Sequence, residues 1–305
     1  MTTYEKSRAF IYRSARPIDL AVFRHAFENA PAEDIITALA AYQNPDGGFG
    51  HGLEADNFNP LSLPMGVWKA TEYIREAGGL EPSHPIIRGI LRYLESGDGF
   101  SAEHNQWANV VPSNNDSPCA IWWKCPEDGG EFKYNPTAAL AGFIVRYAEK
   151  GSALYEKGVR IAREAAEWFL REVPIERHIA RCFITMYDDC KAAGVMPFDG
   201  EALLKALDDV VDKSICRDPN RWWEYLPRPS AFIDSHKSRF YRADLEEVCR
   251  AECRFIKDYQ NPDGSFYVPW TWGNDCKEWY IAENWWKAIA AIDNLKFLRE
   301  FDSPE

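Results

Sequence analysis

Several things are scarce in this chain, and each scarcity excludes something. No run of apolar residues approaches the roughly 20 needed to cross a bilayer; the longest, around Ala138 to Val145, is far shorter. The first residues, Met1-Thr2-Thr3-Tyr4-Glu5-Lys6, carry no apolar segment of the secretory kind. A cytoplasmic location is therefore expected. The eight cysteines include no Cys-x-x-Cys pair, so they read as free thiols packed as small apolar groups in a reducing compartment. Histidines number only six and nowhere share ligand spacing with cysteines, which leaves no zinc site. Basic residues are outnumbered, 35 Lys and Arg against 47 Asp and Glu. The resulting net charge of -12 excludes a nucleic-acid partner and disfavours polyanions. No cofactor motif stands in the chain, and its oligomeric state is not legible.

Aromatic residues are abundant, with 12 Trp, 14 Tyr and 17 Phe, enough for a large core and an aromatic-lined cavity. Helical spacing dominates and no strand-like alternation is sustained. Residues 4–14 and 17–29 read as helices, and a third opens at Pro31 with Ile35, Leu39 and Tyr42 on one face. Further helices are expected near 63–76, 84–96, 136–147, 152–172, 175–193 and 200–216, then a long one ending at Tyr259 and a last one through Trp285, Ile289 and Ile292. No Pro/Gly/Ser-rich linker divides the chain, so one domain over 1–305 is expected.

The helices are punctuated by a repeated turn. Gln43-Asn44-Pro45-Asp46-Gly47-Gly48-Phe49 returns as Gln260-Asn261-Pro262-Asp263-Gly264-Ser265-Phe266, with weaker copies at Gly97-Asp98-Gly99-Phe100 and Asp128-Gly129-Gly130-Glu131-Phe132. Asn-Pro ends a helix, Asp-Gly supplies positive φ, and the Gln and Asp side chains can bond backbone groups left open at helix ends. The repeat thus acts as a staple between helices. Gln-x-x-Asp-Gly-Gly-Phe resembles the Gln-to-aromatic repeat of the terpenoid cyclase and protein prenyltransferase superfamily. That resemblance implies an all-α fold, an α/α toroid of about six hairpins (α6/α6), a ring reading that competes with an open solenoid. Related turns also occur in toroidal polysaccharide lyases and glycosidases. The family's catalytic residues do not carry over: the Asp-x-Asp-Asp proton donor and the prenyltransferase zinc set are both absent. Asp208-Asp209-Val210-Val211-Asp212 matches the Asp-Asp-x-x-Asp pattern of class I isoprenoid synthases, but the three aspartates face away from the apolar side formed by Leu203, Leu207 and Val210, as a solvated acidic face does.

Candidate chemistry lies in the loops. Glu54, Asp56 and Asp116 are the candidate catalytic carboxylates, although Glu54 and Asp56 also precede a helix start, where acids serve as caps. His51 can be an acid/base partner, though a backbone-bonded loop residue is favoured. Asn57, Asn114 and Asn115, with the tryptophans 122, 123, 222, 223, 270 and 272 (Trp122, Trp123, Trp222, Trp223, Trp270, Trp272), are the candidate substrate-binding set. Amides beside ring faces suit a hydroxyl-rich ligand, and ring faces alone also stabilise a developing cation. The leading expectation from the resemblance is a terpenoid-cyclase-like or prenyltransferase-like enzyme. Its alternatives are a carbohydrate-active enzyme with two loop carboxylates and a non-catalytic ring that binds a small ligand or a partner. Since the cysteines and histidines lack ligand spacing, elemental analysis of the purified protein is expected to show no stoichiometric zinc.

Overall fold

The computed structural model describes residues 1–127 and 129–302; Asp128, from the weak staple above, and residues 303–305 lie outside the described residues. Eleven α-helices, five short 3-10 helices and one pair of two-residue strands make up the regular structure among them. The fold is all-α. Among the described residues no helix is long and apolar enough to cross a membrane. The chain forms two compact units, one of Met1–Ile35, Val211–Thr271 and Lys277–Glu305, the other of Ile36–Val210 and Trp272–Cys276. Helices α3 (Glu33–Ala40) and α9 (Gly200–Ser214) run across the boundaries in sequence.

In the first unit, α1 (Thr3–Ser14) packs with α2 (Pro17–Glu28) and α11 (Trp279–Phe301), and α11 also contacts α10 (Glu246–Asp258). A capping box starts α1: the Thr2 hydroxyl accepts from Glu5 N at 3.1 Å while Thr2 N donates to the Glu5 carboxylate at 2.8 Å. Pro17 opens α2, where its missing N–H costs nothing. The sequence reading ran one long helix to Tyr259, whereas α10 begins only at Glu246. Serine side chains explain the difference. Ser235 Oγ accepts from Lys237 N at 3.3 Å, and Ser238 Oγ donates to Phe232 O at 3.3 Å, holding the segment in short turns.

The second unit is built on α6 (Thr137–Tyr147), which buries every residue except Arg146. A helix apolar all round must be enclosed. It lies against α7 (Ala153–Glu172) and α8 (Arg177–Ala192) and touches α4 (Pro64–Glu76) and α5 (Pro85–Ser96). Between α5 and α6 runs the irregular segment, holding the antiparallel pair β1 (Phe100–Ser101) and β2 (Gln106–Trp107).

Each unit carries one full staple, and the two are built alike. Gln43 Nε2 donates to Gly47 O at 3.0 Å and to Ile86 O at the start of α5 at 3.3 Å. Gln260 Nε2 donates to Gly264 O at 3.3 Å, to Thr3 O at the start of α1 at 3.0 Å and to Ser7 Oγ at 2.8 Å. The aspartates close their own turns: Asp46 takes Gly48 N at 2.8 Å and Asp263 takes Ser265 N at 3.0 Å. So the acids do not reach orphan groups at helix ends, and the Gln amides grip a helix that does not directly follow the turn: Gln43 holds α5 rather than α4. In the first unit Gln260 holds the chain's own N-terminal helix, α1, rather than α11. Phe49 and Phe266 are buried beneath their turns.

Glycine is required where the turns meet a helix. A Cβ at Gly47 would lie 2.1 Å from Gly89 O and one at Gly264 2.1 Å from Lys6 O, both at φ above +90°. Gly151 has a similar φ of +84° with nothing within 4 Å, so it isolates the backbone cost of a side chain, about 1 kcal/mol. Gly47→Ala is expected to cost at least about 2 kcal/mol more than Gly151→Ala, because the backbone must move apart. Urea unfolding of both variants checks this, and equal losses would show that the close approach is not limiting.

Candidate functional site

The second unit gathers part of the candidate set into a buried knot. Asp56 Oδ1 accepts from Trp272 Nε1 at 2.7 Å, and Asp56 O accepts from Ala120 N at 2.9 Å. Asn57 and Asn59 both donate to Asn114 Oδ1, at 3.2 and 3.0 Å, and Asn114 Nδ2 donates to Trp123 O at 2.9 Å. Asn274 Nδ2 reaches Cys119 O at 3.0 Å, while Ile121 N donates to Trp272 O at 3.0 Å. Glu54, Asp56, Asn57, Asn114 and Trp272 are all buried. Residues distant in sequence thus meet, and these bonds tie three loop segments together.

Other candidates stand apart from the knot. Asp116 and Asn115 are exposed; the Asn115 amide holds the Cys125 backbone with bonds of 2.9 Å in both directions. His51 is exposed with its ring 2.9 Å from Asn44 Oδ1, a side-chain partner where a backbone one was favoured. Trp122 is exposed and Trp123 half-buried. Trp222, Trp223 and Trp270 belong to the first unit. There Trp222 is buried and donates to Cys216 O at 2.8 Å, whereas Trp223 is exposed beside Phe255 and Tyr259. Asp208 and Asp209 of the acidic run are exposed, and Asp212 pairs with Arg217 and Arg242.

The larger described cavity, about 620 Å³, is lined by residues that sequence reasoning missed. It lies in the second unit where α7 ends and α8 begins. Trp168 and Glu172 come from the end of α7, Glu176 and His178 from the start of α8, and Asn109 and Asn135 from the irregular segment. Each is placed for a physical reason. Trp168 is stacked on Phe183, ring centroids 6.0 Å apart at 22°, and also meets the Tyr134 ring at 5.3 Å and 46°, contacts that fix the indole plane at the cavity wall. Glu176 is the N-cap of α8; its two oxygens accept from His178 N at 3.0 Å and Ile179 N at 2.8 Å. Asn135 Oδ1 accepts from Cys182 Sγ at 3.4 Å. Asn109 Oδ1 is buried and has no hydrogen-bond partner among the described residues.

The electrostatics favour neutral groups. Burial first, and then the Arg177 and Arg181 guanidiniums, press the His178 ring down to about 4, against the opposing pull of Glu176 and Glu72. Arg177 Nε donates to His178 Nε2 at 3.2 Å, as a neutral ring requires. The one lysine on the lining, Lys133, is paired with Glu131 at 2.9 Å. The cavity therefore offers an aromatic face, two amides, a neutral imidazole and carboxylates. That is a surface for hydroxyl groups rather than for diphosphate. The irregular segment was legible as a place for function, but Trp168 sits on an amphipathic helix, where an aromatic reads as core.

Comparison with known proteins leaves the chemistry to carry the reading: no family model, no curated protein and no solved structure matches the chain.

Stability should record the neutral histidine. The folded-state value lies below the ordinary 6.5, so between about pH 6.5 and 4 the unfolded chain binds a proton that the folded chain does not. Stability therefore falls as pH drops through this window, by at most roughly 3 kcal/mol. The difference between wild type and His178→Gln in urea unfolding, taken from pH 7.5 to 4.5, is expected to carry that slope. Parallel curves would show that the ring is not held neutral.

Proposed function

We propose that the protein is a carbohydrate-active enzyme, of glycosidase or lyase type, whose polyhydroxylated ligand lies on Trp168. The observation that carries this reading is the lining of the 620 Å³ cavity. The indole of Trp168 on the cavity wall matches the apolar side of a sugar ring, and Asn109 and Asn135 match its hydroxyls. Glu172 is the candidate acid/base carboxylate: Arg171 Nε holds one of its oxygens at 2.9 Å, whereas both oxygens of Glu176 are occupied in capping α8. His178, neutral at pH 7, is a hydrogen-bonding group for the ligand.

The architecture that accompanies this reading is a closed α/α ring of hairpins. Its support is the equivalence of the staples, since the last one grips α1 just as the first one grips α5. A terpenoid-cyclase-like reaction is the second reading, and it rests on the same staples. A carbocation path needs a dry wall with one acid, because water quenches the intermediate. The amides and carboxylates around Trp168 support the sugar reading instead.

One assay separates them. The protein is offered neutral and uronic oligosaccharides beside linear isoprenoids, with and without diphosphate and magnesium. Oligosaccharide binding or turnover is expected, reduced at least about tenfold in Trp168→Ala, as the loss of one well-packed ring contact implies. Isoprenoid turnover, with oligosaccharides ignored, would overturn the proposal and promote the second reading.

A further inference from the structure

A second cavity, about 420 Å³, lies in the same unit and shares no lining residue with the first. It is bounded by Gly78, Gly79 and Leu80 after α4, by Glu81 and His84 before α5, and by Arg146 near the end of α6. Behind it stands a charge imbalance. Asp189, fully buried on α8, accepts from Arg75 at 2.8 and 2.5 Å and from Arg146 Nη1 at 3.0 Å. Two guanidiniums thus share one carboxylate, leaving one positive charge over at a site where both arginine side chains are only about a third exposed, 29% and 31%. In an acidic protein this is a local exception.

The donors point the same way. An ideal Cβ at Gly79 would stand 3.6 Å from Arg146 Nη2 and 3.8 Å from the Tyr147 hydroxyl. The missing side chain therefore leaves room beside both. His84 Nδ1 accepts from Ile86 N at 3.2 Å as the N-cap of α5, so in the neutral ring the proton sits on Nε2, a donor that lines the cavity together with Arg146, while the Tyr147 hydroxyl adjoins Gly79. Glu81 opposes an anion here, but it is exposed and screened by solvent. We infer that this cavity binds a small oxyanion, the carboxylate or phosphate group of a metabolite, through Arg146, Tyr147 and His84. A guanidinium with one edge on a buried carboxylate presents its other edge as a preorganised fork for such a group. The inference does not depend on the carbohydrate reading, because no residue of the Trp168 cavity takes part.

Calorimetric and thermal-shift titrations with inorganic phosphate and with malonate test it, against sodium chloride at matched ionic strength. Saturable binding of phosphate or malonate is expected, and the stronger of the two names the source class. Tyr147→Phe keeps the buried ring and removes only the hydroxyl; it should weaken binding about fivefold, as the loss of one hydrogen bond does. Arg146→Gln should abolish it, with folding checked by circular dichroism. No response beyond that to chloride, or unchanged affinity in Tyr147→Phe, would overturn the inference. Loss of oligosaccharide binding in Trp168→Ala with phosphate binding retained would confirm that the two sites are separate.

Discussion

The close approach of a glycine turn to a helix backbone is the constraint on which both units depend. At Gly47 and Gly264 the chain comes so near the carbonyls of Gly89 and Lys6 that no side chain fits. Because the turn is so close, the Gln amide beside it can bond the turn and the adjoining helix, α5 or α1, together. A Cβ at Gly89 would also meet Gln43 Nε2 at 2.3 Å, so that glycine admits the amide to the helix surface. These bonds join elements 43 or 257 residues apart in sequence.

Buried polar groups then fix the arrangement within each unit. Asp189 holds α4 and α6 to α8 through Arg75 and Arg146. Asp56 holds Trp272. Glu252 on α10 accepts from Ser230 N and Oγ at 3.0 and 2.6 Å and pairs with Arg228 at 3.1 Å; burial raises its pKa despite these partners. Such groups contribute little net stability compared with apolar packing, but breaking one leaves a buried charge unpaired, which costs several kcal/mol. They select one packing over its neighbours, as the enclosed α6 alone, apolar on every side, does not.

The same economy of charge shapes the two cavities. Around Trp168, His178 is held neutral by burial, Lys133 is paired with Glu131, Glu176 is occupied by its cap, and Glu172 is paired on one oxygen with Arg171. Around Gly79 a guanidinium is left with one edge uncommitted to Asp189. The first surface suits hydroxyls and the second suits an oxyanion, and both follow from which partners each side chain already has.

The sequence by itself determined the helices, the turns and the glycines. Periodic apolar faces specify α-helices, and Asn-Pro-Asp-Gly specifies a turn whatever surrounds it, because these are local preferences of backbone and side chain. It also named Asp56 as a candidate catalytic carboxylate and Asn57 and Asn114 as candidate binding residues, but not the bonds that bring Asn57 to Asn114 and Asp56 to Trp272. It could not determine the start of α10, where serine turns outcompete the helix. Nor could it say that Trp168, Asn109, Asn135 and His178, drawn from two helices and a loop, would line one cavity. A tryptophan on an amphipathic helix reads as core, and only the folded chain shows Trp168 packed on Phe183 and Tyr134 and also lining the cavity. Only the tertiary structure decides which faces and which hydrogen-bonding edges are left over, because that depends on partners far away along the chain.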